Sequence, residues 1–379
     1  MILILFVSFT CALLATRGVI ASSHLHERWS ADHDLSGVQK MHVEAVPRVG
    51  GVGIFLGVLA GAASIVWLYP ALRHQTLLFV VCMLPAFFSG LWEDFTKAIS
   101  PRRRMVALAL SGVLGVLLLG GVIPRTGWSA LDRMVLAHGL AWIGTIGAVF
   151  AVTGVSNSVN IVDGMNGLAS MCVTLMAVAL AWISWQVHDV LIGSLALATI
   201  GATLGFFVWN YPRGRVFLGD GGAYVLGFIV AELGILLGAR HPDVSMLAPL
   251  LIVVYPFFET LFSMYRRRFL QHRSMTQPDA MHLHTLIYRR IMRAAMDPHD
   301  PSGPRRANSG TSPYLWLMAL VGIAPAAIWW NNSRVLSLAL LIFALAYLWV
   351  YRRIVRFRSP RWMKARRRGV SRDQDASAR

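Results

Sequence analysis

Apolar runs dominate this chain and restrict what it can fold into. About eleven of them are long enough to cross the hydrocarbon core of a bilayer, which takes about 17 to 25 helical residues. Of the 379 residues, 56% are hydrophobic and only 14% are charged, and a water-soluble globule cannot hide so much apolar surface. We therefore predict an all-α polytopic integral membrane protein with about 10–11 transmembrane helices. The predicted spans are residues 1–21, 49–69, 75–92, 105–123, 137–156, 166–186, 190–209, 217–238, 245–264, 313–330 and 335–351.

Basic residues are distributed unevenly between the connecting segments. Of the 35 Lys and Arg residues, 29 lie in alternate segments. These segments are residues 22–48, 93–104, 210–217, 265–311 and 352–379. Because Lys and Arg are retained on the cytoplasmic side during insertion, we predict an N-terminus outside and a cytoplasmic C-terminus. We attribute the formal charge of +17 to loops that face an anionic leaflet, and we expect no nucleic-acid partner.

The N-terminal run is predicted to be a retained helix and not a cleaved signal peptide, because Arg17 and Arg28 follow the apolar run instead of preceding it. Residues 1–351, with the cytoplasmic loop 265–311, form the predicted transmembrane domain. Residues 352–379 form a basic tail that we expect to be disordered. The three cysteines lie singly within apolar runs and have neither disulfide nor metal-ligand spacing.

The few acidic residues are the informative minority. Glu93, Asp94, Asp163 and Asp220 all fall at span ends on the predicted cytoplasmic face. A carboxylate at mid-depth in a bilayer costs about 2.5–3.5 kcal/mol, so an acid at a span end usually lines a cavity, pairs with a base or holds a cation. Taken singly, Glu93 and Asp94 could pair with nearby basic residues, and Asp163 and Asp220 could cap helices.

Amides and glycines surround two of these acids. Residues 157–168 read NSVNIVDGMNGL and residues 217–222 read FLGDGG. Glycine removes side-chain bulk where a phosphate or a metal approaches the backbone. A set of ligands that contains only carboxylates and amides suits Mg²⁺ or Mn²⁺ and not zinc.

Basic residues and histidines of the same predicted face supply counter-charges. Lys40, His42 and Arg48 precede the second span, and His282 and His284 lie in the long loop. Two histidines one residue apart do not fit two metal ligands on one helix face, so hydrogen bonding to a diphosphate or nucleotide suits them better. For Lys40 and Arg48, ordinary flanking of a span by positive charge is the alternative.

In this order the clusters resemble the polyprenyl-phosphate N-acetylhexosamine-1-phosphate transferases. The residues that carry the resemblance are 40–51, 90–101, 157–168, 217–222 and 282–289. The forms PRVGG and HLH are closer to the WecA-type members than to the MraY-type members, whose histidines are consecutive. The paired aspartates of the family appear here as Glu93 and Asp94, the last aspartate of its Asp-Gly-x-Asp-Gly element appears as Asn166, and a third histidine appears as Thr285.

The resemblance implies transfer of a HexNAc-1-phosphate from a UDP-HexNAc to undecaprenyl phosphate, with release of UMP, at the cytoplasmic face of a bacterial inner membrane. GlcNAc is the expected sugar, and a homodimer is an expected assembly. Asp94, Glu93 and Asp163 are the implied catalytic residues. Asp220 and Asp163 are the implied ligands of Mg²⁺, for which Mn²⁺ could substitute. The implied substrate-binding residues are Lys40, His42, Arg48, Asn157, Asn160, Asn166, His282, His284 and Arg289.

Other functions fit parts of the sequence. A transporter would use the acids as an ion path, although no inverted repeat of the kind found in many carriers is visible. Asn166 and Thr285 motivate a catalytically silent scaffold. Within the enzyme class, MraY-type transfer of phospho-MurNAc-pentapeptide is the alternative. The sequence leaves open whether the lipid phosphate attacks directly or an aspartyl intermediate forms.

Overall fold

The computed structural model describes residues 1–24, 46–272, 279, 281–297, 300 and 302–357, and these residues are predominantly helical. In chain order the helices are α1 (Ile2–Ala21), α2 (Gly51–Leu68), α3 (Arg73–Thr96), α4 (Pro101–Leu114), α5 (Ser129–Ala137), α6 (Trp142–Val162), α7 (Leu168–Gln186), α8 (Val190–Asn210), α9 (Gly219–Arg240), α10 (Leu247–Ile252), α11 (Val254–Tyr265), α12 (Leu283–Ile287), α13 (Gly303–Ile328) and α14 (Ser333–Val355). Within the described ranges, nine helices are long and apolar enough to cross a membrane: α1, α2, α3, α6, α7, α8, α9, α13 and α14. The predicted all-α polytopic class is confirmed.

Two of the predicted spans are helical but interrupted. In the region predicted as 105–123, α4 continues as a π-helical turn, and the helical conformation ends at Gly120, whose φ is 71°. In the region predicted as 245–264, Val253 separates α10 from α11. Pro256 accounts for the second break, because proline inside a helix removes one hydrogen bond and clashes with the carbonyl four residues earlier.

The loop predicted over residues 265–311 contains more helix than expected. α11 extends through a π-helical turn to Leu270, and α12 begins directly after His282 and contains His284. α13 begins at Gly303, ten residues before the predicted span. The described chain ends at Phe357, so most of the predicted basic tail lies outside the described residues.

α9 is the central helix and is buried along nearly its whole length between α3 and α6. On one side of the bundle, α1 packs against α2 and α8. Contacts place the first residues of α2, α7, α9 and α13 at the same end of the bundle as the last residues of α3, α6, α8 and α14. The four acids of the sequence analysis belong to this end. The predicted orientation of the termini relative to the membrane stays a prediction.

Candidate active site

Glycine contacts bring the first turn of α9 against α2 and α3. A Cβ atom on Gly51 would lie 2.2 Å from the backbone nitrogen of Gly222, and one on Gly90 would lie 2.4 Å from that of Gly221. Contacts this close are open only to residues without a side chain. The sequence analysis assigned Gly221 and Gly222 to ligand approach, whereas in the structure they also allow the backbones of three helices to meet.

Asp94 fixes the first turn of α9. Its Oδ1 atom accepts the backbone N–H of Asp220 at 2.8 Å, and its Oδ2 atom accepts that of Gly221 at 3.0 Å. The first N–H groups of a helix have no partner within the helix, so a carboxylate placed there stabilises the helix start. Asp94 is only 3% exposed, and its implied catalytic role stays a prediction.

Asp220 lies at the meeting point of three polar side chains. The Asn160 amide donates to its Oδ1 atom at 2.8 Å, and Arg104 donates to its Oδ2 atom at 3.3 Å. A guanidinium nitrogen of Arg48 lies 3.8 Å from Oδ1. Two cations therefore flank one carboxylate at the edge of the site. Arg104 is absent from the predicted site, because in the sequence it is one of three consecutive arginines at a helix start.

A cavity of about 340 Å³ opens beside Asp220. Seven of the predicted site residues line it: Arg48, Asn160, Asp163, Asn166, Asp220, His282 and His284. Four others are described but are not among the lining residues: Glu93, Asp94, Asn157 and Arg289. Lys40 and His42 lie outside the described residues. Side chains from four separate parts of the sequence thus share one cavity.

The cavity is lined by carboxylate and amide oxygens that could bind a metal ion, and several of the carboxylates lie close together. Burial raises the pKa of Asp163 well above its ordinary value, Arg48 opposes this shift, and the carboxylates of Asp220 and Asp94 add to it. A divalent cation in the cavity would stabilise the ionised carboxylate. Among the described residues, no three His, Cys, Asp or Glu side chains form a preformed metal cluster. Mg²⁺ is commonly held by one or two carboxylates plus phosphate oxygens and water, so Asp220 and Asp163 fit it.

The two histidines form a stacked pair on the wall of the cavity. Their rings are parallel within 6° and their centroids lie 5.4 Å apart. His284 covers Gly164, where a Cβ atom would lie 2.6 Å from Nε2 of the ring. Burial, with the neighbouring His282, lowers the pKa of His284 to about 4. His284 is therefore neutral at neutral pH and can serve as a hydrogen-bonding group.

Residues that the sequence analysis missed hold the amide-rich loop in place. The N–H of Asn166 donates to Oδ1 of Asn308 at 2.8 Å, and the Ser312 hydroxyl donates to the Asn166 carbonyl at 2.7 Å. The N–H of Gly167 donates to Oδ1 of Asn210 at 2.6 Å. Asn308 and Ser312 are four residues apart, which places them on one face of α13. The sequence analysis missed this helical spacing because it predicted that the span would begin only at residue 313.

The amide of Asn166 suits its surroundings better than the family's aspartate would. Its Nδ2 atom donates to the carbonyl of Pro212 at 3.2 Å. A carboxylate cannot donate, and would place an oxygen against that carbonyl oxygen. We expect Asn166→Asp to lower the free energy of unfolding by about 1–3 kcal/mol, measured by thermal unfolding in detergent. Asn331→Asp, the same change at an exposed loop position, is the control and should be neutral. Equal stability of the Asn166 and Asn331 variants would contradict this account.

Fold and cavity together define a multi-pass membrane protein with a polar, oxygen-rich site at one end of its helices. Residues 76–238, which contain Asp94, Asp163 and Asp220, match the family model described as glycosyl transferase family 4. This match covers less than half of the chain, and it bears out the resemblance drawn from the motifs.

The names of curated relatives agree with this family match. A probable undecaprenyl-phosphate N-acetylglucosaminyl 1-phosphate transferase of Bacillus subtilis is 28% identical over 65% of this chain and 66% of the relative. An undecaprenyl-phosphate alpha-N-acetylglucosaminyl 1-phosphate transferase of Thermotoga maritima is 28% identical over 67% and 72%. A phospho-N-acetylmuramoyl-pentapeptide-transferase of Lactococcus lactis is 32% identical over 40% and 46%. The chain thus spans less than two thirds of the length of the first and the third of these relatives.

Proposed function

We propose that this protein transfers a HexNAc-1-phosphate from a UDP-HexNAc to undecaprenyl phosphate and releases UMP, as the initiating step of a cell-envelope polysaccharide. The observation that carries the proposal is the convergence of Arg48, Asp163, Asp220 and His282 on one cavity at one end of the bundle. Two relatives are named as undecaprenyl-phosphate GlcNAc-1-phosphate transferases, which favours GlcNAc as the sugar.

The reaction joins two anions, and the charges of the cavity suit that problem. An oxygen of the lipid phosphate forms a bond to the β-phosphorus of the UDP-sugar, and the bond from that phosphorus to the bridging oxygen breaks as UMP leaves. Negative charge on both reactants opposes their approach, so positioning and charge neutralisation dominate catalysis. Arg48 and His282 are suited to bind the phosphate groups, and the neutral His284 can accept or donate one hydrogen bond.

Asp220 and Asp163 would hold Mg²⁺, with Asn160 beside them. The bound cation would neutralise the diphosphate and polarise its oxygens. Asp94 keeps Asp220 at the start of α9 through the two backbone hydrogen bonds, so we assign Asp94 a positioning role in addition to the predicted one. Lys40 and His42 remain proposed substrate ligands on sequence grounds alone.

The chemistry of the substrates requires a site at a membrane surface. The polyprenyl chain stays in hydrocarbon while the nucleotide arrives from water. The cavity lies at the helix ends that adjoin the five Lys- and Arg-rich segments, which supports a cytoplasmic location. We therefore propose a multi-pass protein of the bacterial inner membrane whose active site faces the cytoplasm.

UMP release by the purified, detergent-solubilised protein tests the proposal. With Mg²⁺, undecaprenyl phosphate and UDP-GlcNAc, UMP should form, and omission of the lipid phosphate should abolish it. Folded protein that releases no UMP with a panel of UDP-sugars would favour the transporter or the silent scaffold. Release with UDP-MurNAc-pentapeptide alone would identify the MraY-type reaction.

Metal removal is a separate prediction. Treatment with EDTA should lower the rate of UMP release by at least about 100-fold, because a metal supplies several kcal/mol of charge stabilisation. Added Mg²⁺ or Mn²⁺ should restore the rate, whereas Zn²⁺ should not, since the cavity offers hard oxygen ligands. Full activity of the chelated enzyme would exclude the assignment of Asp220 and Asp163 to a metal.

A further inference from the structure

A buried carboxylate lies directly behind the histidine pair. Glu259 of α11 is 1% exposed and accepts three hydrogen bonds. Its Oε1 atom lies 3.1 Å from Nδ1 of His282 and accepts the N–H of Leu283 at 2.9 Å. Its Oε2 atom accepts the hydroxyl of Tyr347 at 2.7 Å. Each oxygen of this acid is therefore engaged, and Glu259 is not among the residues that line the cavity.

These hydrogen bonds determine both the position and the proton arrangement of His282. A carboxylate that accepts from the ring and from the next backbone N–H leaves the ring little freedom to rotate. Because the acid accepts, Nδ1 of His282 carries a hydrogen. The opposite ring nitrogen, Nε2, lies 3.7 Å from Oδ2 of Asp279. His282 thus stands between two carboxylates, which face its ring from both nitrogens at the cavity wall.

The second carboxylate is itself held in place. Oδ2 of Asp279 accepts the Ser263 hydroxyl at 2.6 Å and also pairs with the guanidinium of Arg266. Burial raises the pKa of Asp279, but the hydrogen bond from Ser263 and the charges of His282 and Arg266 outweigh it and leave the pKa below its ordinary value. Asp279 is therefore ionised at neutral pH.

Tyr347 ties this arrangement to the last helix of the bundle. Its ring packs against Phe258 and Phe262, with centroids 4.9 and 5.6 Å away, and also against Phe343. The tyrosine is fully buried, although much of α14 is exposed. An aromatic cluster of this kind holds the hydroxyl in one position, because a close-packed ring cannot turn without displacing its neighbours.

We propose that Glu259 and Tyr347 are positioning residues, which fix the orientation and tautomer of His282 so that its ring can bind a phosphate group of the nucleotide substrate. The proposal rests on the proposed function for the identity of that substrate. Neither residue is among those that line the cavity, so each acts through His282 and the start of α12. At metal sites, a carboxylate behind a histidine fixes the tautomer and the orientation of the ring, and the same geometry is present here.

Three variants separate charge from geometry. Glu259→Gln retains an oxygen that can accept from His282 and Leu283 but removes the negative charge. Tyr347→Phe removes one hydrogen bond and retains the packed ring. Glu232→Gln is the matched control, because Glu232 is as buried as Glu259 but lies far from the cavity. On α9 it is 12 residues from Asp220, and a rise of about 1.5 Å per residue separates the two by about 18 Å.

We expect Glu259→Gln to raise the KM for the UDP-sugar by about 10- to 100-fold, with a smaller effect on kcat. Tyr347→Phe should raise KM by about 3- to 10-fold. The ¹⁵N resonances of the His282 ring, identified by their loss in His282→Gln, should shift in Glu259→Gln and stay unchanged in Glu232→Gln. Activity of the control should equal that of the wild type.

Two outcomes overturn the proposal: an unchanged KM in folded Glu259→Gln and Tyr347→Phe protein, or a His282 ring signal that Glu259→Gln does not move. If Glu259→Gln does not fold, Tyr347→Phe decides the kinetic test. A wild-type protein that releases no UMP would refute the proposed function, whereas the ¹⁵N measurement would still decide whether Glu259 orients His282. The two failures are therefore distinguishable.

Discussion

Asp220→Asn is expected to lower the rate of UMP release by about 10²- to 10³-fold, the loss typical when one preorganised electrostatic group is removed from an active site. The substitution preserves size and leaves an oxygen at the same place. It removes the negative charge that lies between Arg48 and Arg104 and that would bind the divalent cation. Both guanidinium groups would then lose this charged partner and could draw the substrate phosphates out of position.

The measurement compares initial rates at saturating Mg²⁺ with those of a control acid-to-amide variant. Asp132→Asn suits this purpose, because Asp132 accepts hydrogen bonds from Thr126 at the opposite end of the bundle. It should retain wild-type activity. Thermal midpoints of both variants exclude unfolding as the cause. If Asp220→Asn retained more than about a tenth of the wild-type rate, Asp220 would not be the principal metal ligand.

The parts of the fold and site that could be predicted are those encoded in local runs of sequence. Nine of the predicted spans correspond to helices able to cross a membrane. The shared location of Asp163 and Asp220 followed from apolar length and Lys/Arg asymmetry, because helices that alternate in direction bring alternate ends together. The interruption at Val253 had a visible cause in Pro256, but average hydropathy over a window conceals a proline.

The unpredicted parts depend on contacts between distant segments. Asp94 binds the start of α9, 126 residues later in the chain, and no local pattern identifies that partner. Arg104 reaches Asp220 across a similar separation. Glu259 reads in sequence as an isolated acid within an apolar run, and its link to His282 exists only because α11 and α12 fold against each other. Side-chain chemistry was readable from the sequence, whereas hydrogen-bond partners were not.

Gly51→Ala tests whether close packing of glycines assembles the site. The added methyl group would lie 2.2 Å from the backbone nitrogen of Gly222 and 2.5 Å from its Cα atom, and backbone cannot move aside as a flexible side chain can. α2 and α9 must separate, which should lower the free energy of unfolding by about 1–3 kcal/mol. The shift would also displace Asp220 from Asn160, which donates to it from α6.

We therefore expect Gly51→Ala to lose UMP release together with thermal stability, measured on the same detergent-purified sample. Gly18→Ala is the matched control, because a Cβ atom on Gly18 meets nothing within 4 Å. Alanine favours helix over glycine by up to about 1 kcal/mol, so the control should be as stable as the wild type or slightly more stable. A Gly51→Ala protein with wild-type stability and activity would mean that α2 and α9 tolerate a wider separation. Close packing of the glycine pairs would then not be the cause of the position of Asp220 in the cavity.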